Sequence, residues 1–460
     1  MRYNFAPSIT VSQGGLKIAT QGVRLETDEV QGRGRPTHWS LATRMAFRFC
    51  FVYFTLYTLT NQVIIGLLPT TAEIPDPSAL WPIRQLIFWT AVHIFRIKYT
   101  LVYTDSGSGD KTFDWVSVFC LFVVAVGATT VWSILDRKRE NYVLLHKWLR
   151  LFLRFAIAGQ MLSYGLLKAV PLQMTFPSLN RLIEPFGNFS PMGVLWASVG
   201  SSPAYEIFAG CAELLAGVLL IFPRTTMLGA MVCLADAIHI FALNMTYDVP
   251  VKLFSFHLIL MSVFLLAPDL KRLANLFFLN RNAAASAQPA LFTSSRANRF
   301  AFAAQIIFGA VLFGANVYAT WTNWHVYGGG RPLSALYGIW NVEQLTIDGQ
   351  VRPPLISDND RWRRAIFDSP TRMTFQRMDD SFSRYGSSID VNGKTLALKK
   401  DDDKNWKATL IFERPAREQL ILDGEMDSHR IHMQLQLEDR NKFLLVNRGF
   451  HWVQEYPLNR

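Results

Sequence analysis

The sequence predicts an α-helical polytopic membrane bundle of about seven spans, followed by an all-β domain that closes into a small barrel. Three observations carry that prediction. Half of the 460 residues are hydrophobic, and the mean hydropathy is positive. Apolar runs of about 20 residues, enough to cross the hydrocarbon core of a bilayer, recur between residues 45 and 321. From Leu336 onward the pattern changes to apolar and polar residues in alternation, interrupted by turn signals, which is the period of strands.

Residues 1–44 are polar, carry Arg33, Arg35 and Arg44, and contain no early apolar core. They are expected to form a basic, mobile cytoplasmic tail rather than a cleavable signal peptide. The membrane domain is expected over 45–325, with spans at 45–68, 113–135, 148–170, 203–222, 225–246, 252–268 and 299–321. Segment 82–97 is apolar but shorter, and Arg84, His93 and Arg96 make it amphipathic. It is expected to lie flat on the outer surface or to be re-entrant, as is 171–200. Under seven spans, Arg44, Arg137, Lys138, Arg139, Lys147, Arg224, Lys271, Arg272, Arg281, Arg296 and Arg299 fall on one side. Basic loops mark the cytoplasm, so the N-terminus is expected inside and everything after Trp321 outside, which for a bacterial cytoplasmic (inner) membrane would be the periplasm. The small-residue stretch 282–290 then reads as a flexible cytoplasmic linker.

Residues 327–460 are expected to form the periplasmic barrel. Residues 431–437, 395–399 and 409–413 alternate apolar and polar, and Asp348-Gly349, Asn392-Gly393 and Asp423-Gly424 read as turns between roughly eight to ten short antiparallel strands. Gly338-Ile339-Trp340 opens the first strand and Arg448 lies near the end. This resembles the lipocalin and fatty-acid-binding barrels, in which a Gly-x-Trp packs under a late Arg. A barrel of this size holds one apolar ligand or is filled by its own side chains, and the filled form is the expectation.

Charge and cysteine usage exclude several classes. Residues 327–460 carry 20 Lys/Arg against 19 Asp/Glu, so ten of the eleven excess positive charges lie in the membrane part and its flanks. That distribution reflects membrane orientation and not a nucleic-acid partner. Cys50, Cys120, Cys211 and Cys233 fall in four different apolar segments without CxxC spacing, which argues against a disulfide framework or structural zinc. No nucleophile elbow, HExxH or Walker sequence occurs, and Ser106 to Asp110 reads as a flexible turn rather than an anion cradle.

The candidate site lies inside the bundle. Glu213 falls in the apolar run 204–222, where an ionised carboxylate costs roughly 3 kcal/mol or more unless it faces the bundle interior with a partner. Glu206, Gly210, Glu213 and Gly217 step by four, three and four residues and form one helical stripe. Tyr164 and Lys168 share a face one turn apart near the outer end of the third span, and His257 lies in the sixth. Asn244, Tyr247, Asp248 and Lys252 occupy the outer turn between the fifth and sixth, and Asp236 and His239 lie near mid-membrane on the fifth. One reading is a pocket with Glu206, Lys168, His257, Tyr164 and Asp248 at its mouth and Glu213, Asp236 and His239 as its floor. Carboxylate, imidazole and phenol are the groups that pass protons to and from a quinone or a similar redox head group. The other reading is a set of interhelical ion pairs, Lys168 with Glu206 and Asp248 with Lys252, that fix packing. No compact ligand motif supports a metal.

Tyr164-Gly165-Leu166-Leu167-Lys168, then Glu206, Gly210, Glu213 through Leu220, and Arg224 through Ala230 make segment 148–268 similar to the DoxX family of small membrane proteins. Residues 244–253 resemble a longer bacterial subgroup with extra helices and a C-terminal β domain, a likeness that extends over most of the chain from about residue 40. The resemblance implies a four-helix membrane core. Some members are associated with thiosulfate:quinone oxidoreduction or redox-stress complexes. The expected function is therefore a quinone-linked redox component of the membrane, with quinone as ligand and a membrane or periplasmic protein as partner. The alternative is a non-enzymatic envelope protein whose barrel handles a lipid or other apolar ligand. The sequence shows no flavin, haem or iron–sulfur ligation pattern, which weighs against an autonomous enzyme.

Overall fold

The computed structural model describes residues 38–69, 76–283, 290–403 and 405–459. The basic tail up to residue 37 and most of the 282–290 linker therefore lie outside the described residues. The helical part comprises α1 (Leu41–Thr60), α2 (Ile83–His93), α3 (Thr112–Leu135), α4 (Val143–Ala169), α5 (Leu179–Ile183), α6 (Pro191–Gly200), α7 (Pro203–Ile221), α8 (Thr226–Thr246), α9 (Lys252–Leu266), α10 (Leu270–Phe277) and α11 (Ser295–Val326).

Among the described residues, five helical stretches are long and apolar enough to cross a membrane: Thr112–Leu135, Pro203–Ile221, Pro223–Thr246, Lys252–Phe277 and Ser295–Val326. The chain is a multi-pass membrane protein. The two other expected spans form as helices, α1 and α4, but they are more polar. The reason is clearest at α4, which carries Arg150, Arg154, Gln160 and Lys168 yet is buried without interruption from Leu153 to Leu162. It is packed by α1, α7, α9 and α11, so protein rather than lipid surrounds it and a continuous apolar surface is not required. The outer helices show the opposite pattern, with Phe122, Val123, Val126 and Val131 of α3 and Phe300, Ile307 and Val311 of α11 turned outward.

Loop contacts tie the helix ends together. At the basic end Trp39 N donates to Glu140 O at 3.0 Å and Arg44 to Arg139 O at 2.5 Å. Arg48 is buried there, donating to the Tyr142 hydroxyl at 2.6 Å, Ser133 Oγ at 2.7 Å and Asp136 O at 2.8 Å. At the other end Asp110 accepts from Lys252 N at 2.7 Å and Leu253 N at 2.9 Å, capping the start of α9. The 106–110 loop is thus a helix cap. Segment 82–97 contains α2, which packs on α3 and leaves Leu86, Trp89 and Val92 exposed.

The C-terminal strands are β1 (Gly338–Ile347), β2 (Gln350–Val351), β3 (Trp362–Ser369), β4 (Arg372–Arg377), β5 (Phe382–Asp390), β6 (Thr395–Lys399), β7 (Lys407–Ala416), β8 (Gln419–Met426) and β9 (His429–Leu437), followed by a short helix α12 (Leu444–Asn447). All pairings are antiparallel, in the order β2-β1-β3-β4-β5-β6-β7-β8-β9, and β9 pairs back onto β1. With β2 a short spur, the other strands form a closed eight-stranded antiparallel barrel. Its interior is filled: Trp340, Leu345, Phe367, Phe375, Leu396, Leu410, Leu420, Leu422 and Met433 are all fully buried in one cluster. The barrel also rests on the helical part, where Leu179 of α5 packs against Ile339 and Ile366 and Asn180 donates to Thr374 Oγ1 at 3.4 Å.

Three local expectations are corrected. Asp423-Gly424 is not a turn but lies within β8; a Cβ at Gly424, at φ 155°, would strike the Thr409 carbonyl, so the glycine admits a close strand approach. The turn falls instead at Asp427-Ser428, both at positive φ. At Asn392-Gly393 the two-residue turn is replaced by a longer one, because Asp390 Oδ1 accepts from both amides, at 3.0 and 3.1 Å, and Lys394 takes the left-handed conformation. The cation over Trp340 is Arg414, at 5.5 Å, whereas Arg448 lies on the surface against His451.

Asp348-Gly349 does form the β1–β2 turn, and Asp348 Oδ2 meets His429 Nδ1 at 2.7 Å. That hydrogen bond holds the Asp348 carboxyl below its ordinary range and raises the His429 imidazole above its own. A raised imidazole stabilises fully below about pH 6.5 and is lost as pH rises through its folded value; a depressed carboxyl contributes above about pH 3.9 and is lost as pH falls through its folded value. The pair is therefore intact between those limits. Asp348→Asn is expected to lower the His429 titration toward about 6.5 in proton NMR of the full chain, and an unmoved titration would refute the pairing.

Candidate functional site

The site is built on the α4–α7 seam, and glycine makes the seam close. A Cβ at Gly165 would meet Gly210 O and Leu214 N, and one at Gly210 would meet Ala169 N and Gly165 O, so the two backbones are in direct contact. That approach brings Lys168, in the last turn of α4, onto Glu213 in the middle of α7, and their side chains form an ion pair through Nζ and Oε1. Glu213 is 1% exposed, and its Oε2 has no partner among the described residues.

Glu206, one of the first residues of α7, is also fully buried. After α4 the chain folds back, with Leu172 N donating to Leu167 O at 2.9 Å, and this delivers the Met174 amide to Glu206 Oε1 at 2.8 Å. The expected Lys168–Glu206 pair is thereby corrected to Lys168–Glu213: Glu206 is already engaged by backbone. Its Oε2 has no partner among the described residues either. Two buried carboxylates on one helix stripe therefore each keep an acceptor oxygen without a partner among the described residues.

His257 sits in a second cluster. Its Nδ1 lies 2.6 Å from Leu253 O, its Nε2 2.7 Å from the Tyr53 hydroxyl, and its ring stacks on Tyr57 at 3.7 Å between centroids. A carbonyl only accepts, so Nδ1 carries the proton, and when the ring is neutral its Nε2 accepts from Tyr53. Tyr164 packs its ring 5.7 Å from that of Phe254, one turn before His257 on α9.

The other candidates divide. Asp236 is half-buried near the seam, within reach of the charges of Glu213 and Lys168 and with Oδ2 unpartnered among the described residues, while His239 is exposed on the outer face of α8. Asp248, at φ 52°, is on the surface and accepts from Lys252 Nζ at 3.0 Å; Lys252 also lies 3.8 Å from Asp110. The structure thus assembles Lys168, Glu206 and Glu213 on one seam, holds His257 beside Tyr53 and Tyr57, and leaves Asp248 and Lys252 as a surface pair.

Sequence reasoning passed over Tyr53, Tyr57 and Arg154. The tyrosines stand four residues apart within an apolar run, a helical-face signal that was available. Arg154 is a charge within the third expected span and meets the same rule that singled out Glu213.

Two cavities of about 550 and 580 Å³ open elsewhere in the helical part, one between α4 and α11 at the basic end, the other an apolar groove lined by Leu234, Ile238, Leu270 and Phe277. Neither touches Glu213.

Comparison with known proteins gives one informative likeness. Over 128 residues the chain is 34% identical to the uncharacterized protein YwoB of Bacillus subtilis (strain 168), an alignment covering 28% of this chain and 79% of that relative. The chain belongs to the YwoB family. No family model matches it, and no solved structure does. The YwoB match is too short to contain both the helical bundle and the barrel, so much of this chain lies outside the shared part. YwoB is described as uncharacterized, so membership brings kinship without a reaction.

Proposed function

We propose that this protein is a DoxX-type component of the bacterial cytoplasmic membrane that exchanges protons with a quinone at the α4–α7 seam. The observation that carries the reading is the pair of buried carboxylate oxygens, Glu206 Oε2 and Glu213 Oε2, that lack partners among the described residues beside an ammonium. A quinone, when bound, supplies two-electron, two-proton redox chemistry. Lys168 would donate to a carbonyl oxygen of such a head group, and Glu213 would accept a proton from, or return one to, its hydroxyl. Tyr164, half-buried one turn from Lys168, orients the head group, and His257 with Tyr53 holds a proton store on the neighbouring helix. Electrons come from a membrane or periplasmic protein partner. The gathering of Arg44, Arg137, Arg139 and Lys147 near one end supports a cytoplasmic face there and a periplasmic barrel.

Lipid carriage by the barrel is the weaker reading, because Trp340, Phe367, Phe375 and their neighbours occupy the interior that a ligand would need. The test is mass spectrometry of small molecules extracted from the gently solubilised full chain. Near-stoichiometric quinone is expected in the native protein and a tenfold or greater loss in folded Glu213→Gln. Equal quinone in the two, or none in the native protein, would overturn the proposal.

A further inference from the structure

We propose that the 550 Å³ cavity at the basic end of the bundle binds the phosphate-bearing head group of an anionic phospholipid. The cavity lies between α4, α11 and the turns before α8 and α10, and its size is that of a small-molecule site. His146, Lys147, Arg150 and Arg154 line it, and no carboxylate does among the described residues.

Arg154 is the deciding residue. Its side chain is 6% exposed, its guanidinium donates to Gln305 Oε1, and its Nε has no partner among the described residues. A buried guanidinium held by a neutral amide and by the face of the Phe155 ring, 5.0 Å from its centroid, has no counter-charge, and an anion in the cavity would supply one. The charges around it do not supply that anion. Arg150 donates to Leu265 O at 3.0 Å, its own Nε is unpartnered, and Asp269 stands 3.9 Å away, outside the lining, and accepts from Arg272 at 2.5 Å. Lys147 reaches Ala290 O at 2.8 Å. Lys147 and Arg154 therefore bring two formal positive charges to the cavity with no carboxylate partner among the described residues, beside Arg150, which Asp269 pairs at 3.9 Å.

The apolar wall identifies the source of the phosphate. Leu151 and Phe302 line the cavity beside the cations, and Phe302, 48% exposed, carries that apolar wall out to the surface of α11. A phosphodiester on the guanidinium groups would leave its acyl chains along that face, which a free phosphate has no use for. Basic pockets between membrane helices are known to take such head groups.

The test is native mass spectrometry of the intact full chain, titrated separately with phosphatidylglycerol, phosphatidylcholine and inorganic phosphate. Phosphatidylglycerol is expected to bind at least tenfold more tightly than phosphatidylcholine, with the preference lost in Arg154→Gln and reduced in Lys147→Gln. Lys98→Gln, exposed at the opposite end, is expected to leave it unchanged. If Arg154→Gln does not fold, Lys147→Gln decides the matter. Equal binding of the two lipids, or an unaltered preference in a folded cavity variant, would overturn the site. Displacement of phosphatidylglycerol by inorganic phosphate at similar concentration would assign the cavity to small soluble anions and overturn the lipid assignment.

Discussion

Lys168→Met is expected to destabilise the helical bundle by about 3–5 kcal/mol, the scale for breaking a buried ion pair from one side. The variant removes the partner of Glu213 Oε1 while Oε2 already has none, leaving a carboxylate that is 1% exposed with both oxygens unsatisfied. The double variant Lys168→Met/Glu213→Leu is expected to recover most of that loss, because two apolar side chains replace two charges whose desolvation roughly offset their attraction. Thermal unfolding of the detergent-solubilised chain distinguishes the two. Equal melting temperatures for the single and double variants would show that the pair is not the buried unit described. Glu213→Gln is milder, since Lys168 retains some exposure near the helix end and an amide oxygen still accepts its hydrogen bond.

The second large effect is expected at Gly210. A leucine there would place Cβ on Ala169 N and Gly165 O, both backbone, and no rotamer change relieves a backbone overlap. α4 and α7 would have to separate, at a cost on the order of 3 kcal/mol or more, and Lys168 would move away from Glu213. Gly210→Leu should therefore combine non-additively with Lys168→Met, because both act through the same contact. Gly127→Leu on α3, where a Cβ meets nothing within 4 Å, is the matched control and is expected to leave unfolding unchanged or slightly improved. Comparable losses at both glycines would remove the close seam as the explanation.

The candidate site was partly legible. Glu213 and Lys168 both announce themselves as charges in apolar runs, and each is buried in the bundle. Their pairing was not legible, because it turns on Glu206 being taken by the Met174 amide, a backbone group delivered by the chain's reversal after α4. His239 shows the converse limit. Its spacing from Asp236 places both near one helix face, yet only contact with neighbouring helices decides that His239 looks outward. Arg154 was passed over because the third expected span carries several polar groups, and only its enclosure by α1, α7, α9 and α11 shows how deeply it is held.

The same division runs through the barrel. Strand period and the Asp348-Gly349 turn are local properties, and β6 and β9 appear where alternation places them. Asp423-Gly424 has the same turn chemistry but sits within β8, since the glycine answers to Thr409 across the sheet and not to its sequence neighbours. Arg448 yields to Arg414 over Trp340 for a like reason: barrel closure chooses which cation crosses the tryptophan. The sequence by itself determined a multi-pass helical bundle followed by a closed β-barrel, because hydrophobic length and period are set by neighbours along the chain. Tertiary structure alone decided which charges meet, which are left without partners and where the cavities open, because those depend on side-chain reach between segments distant in sequence.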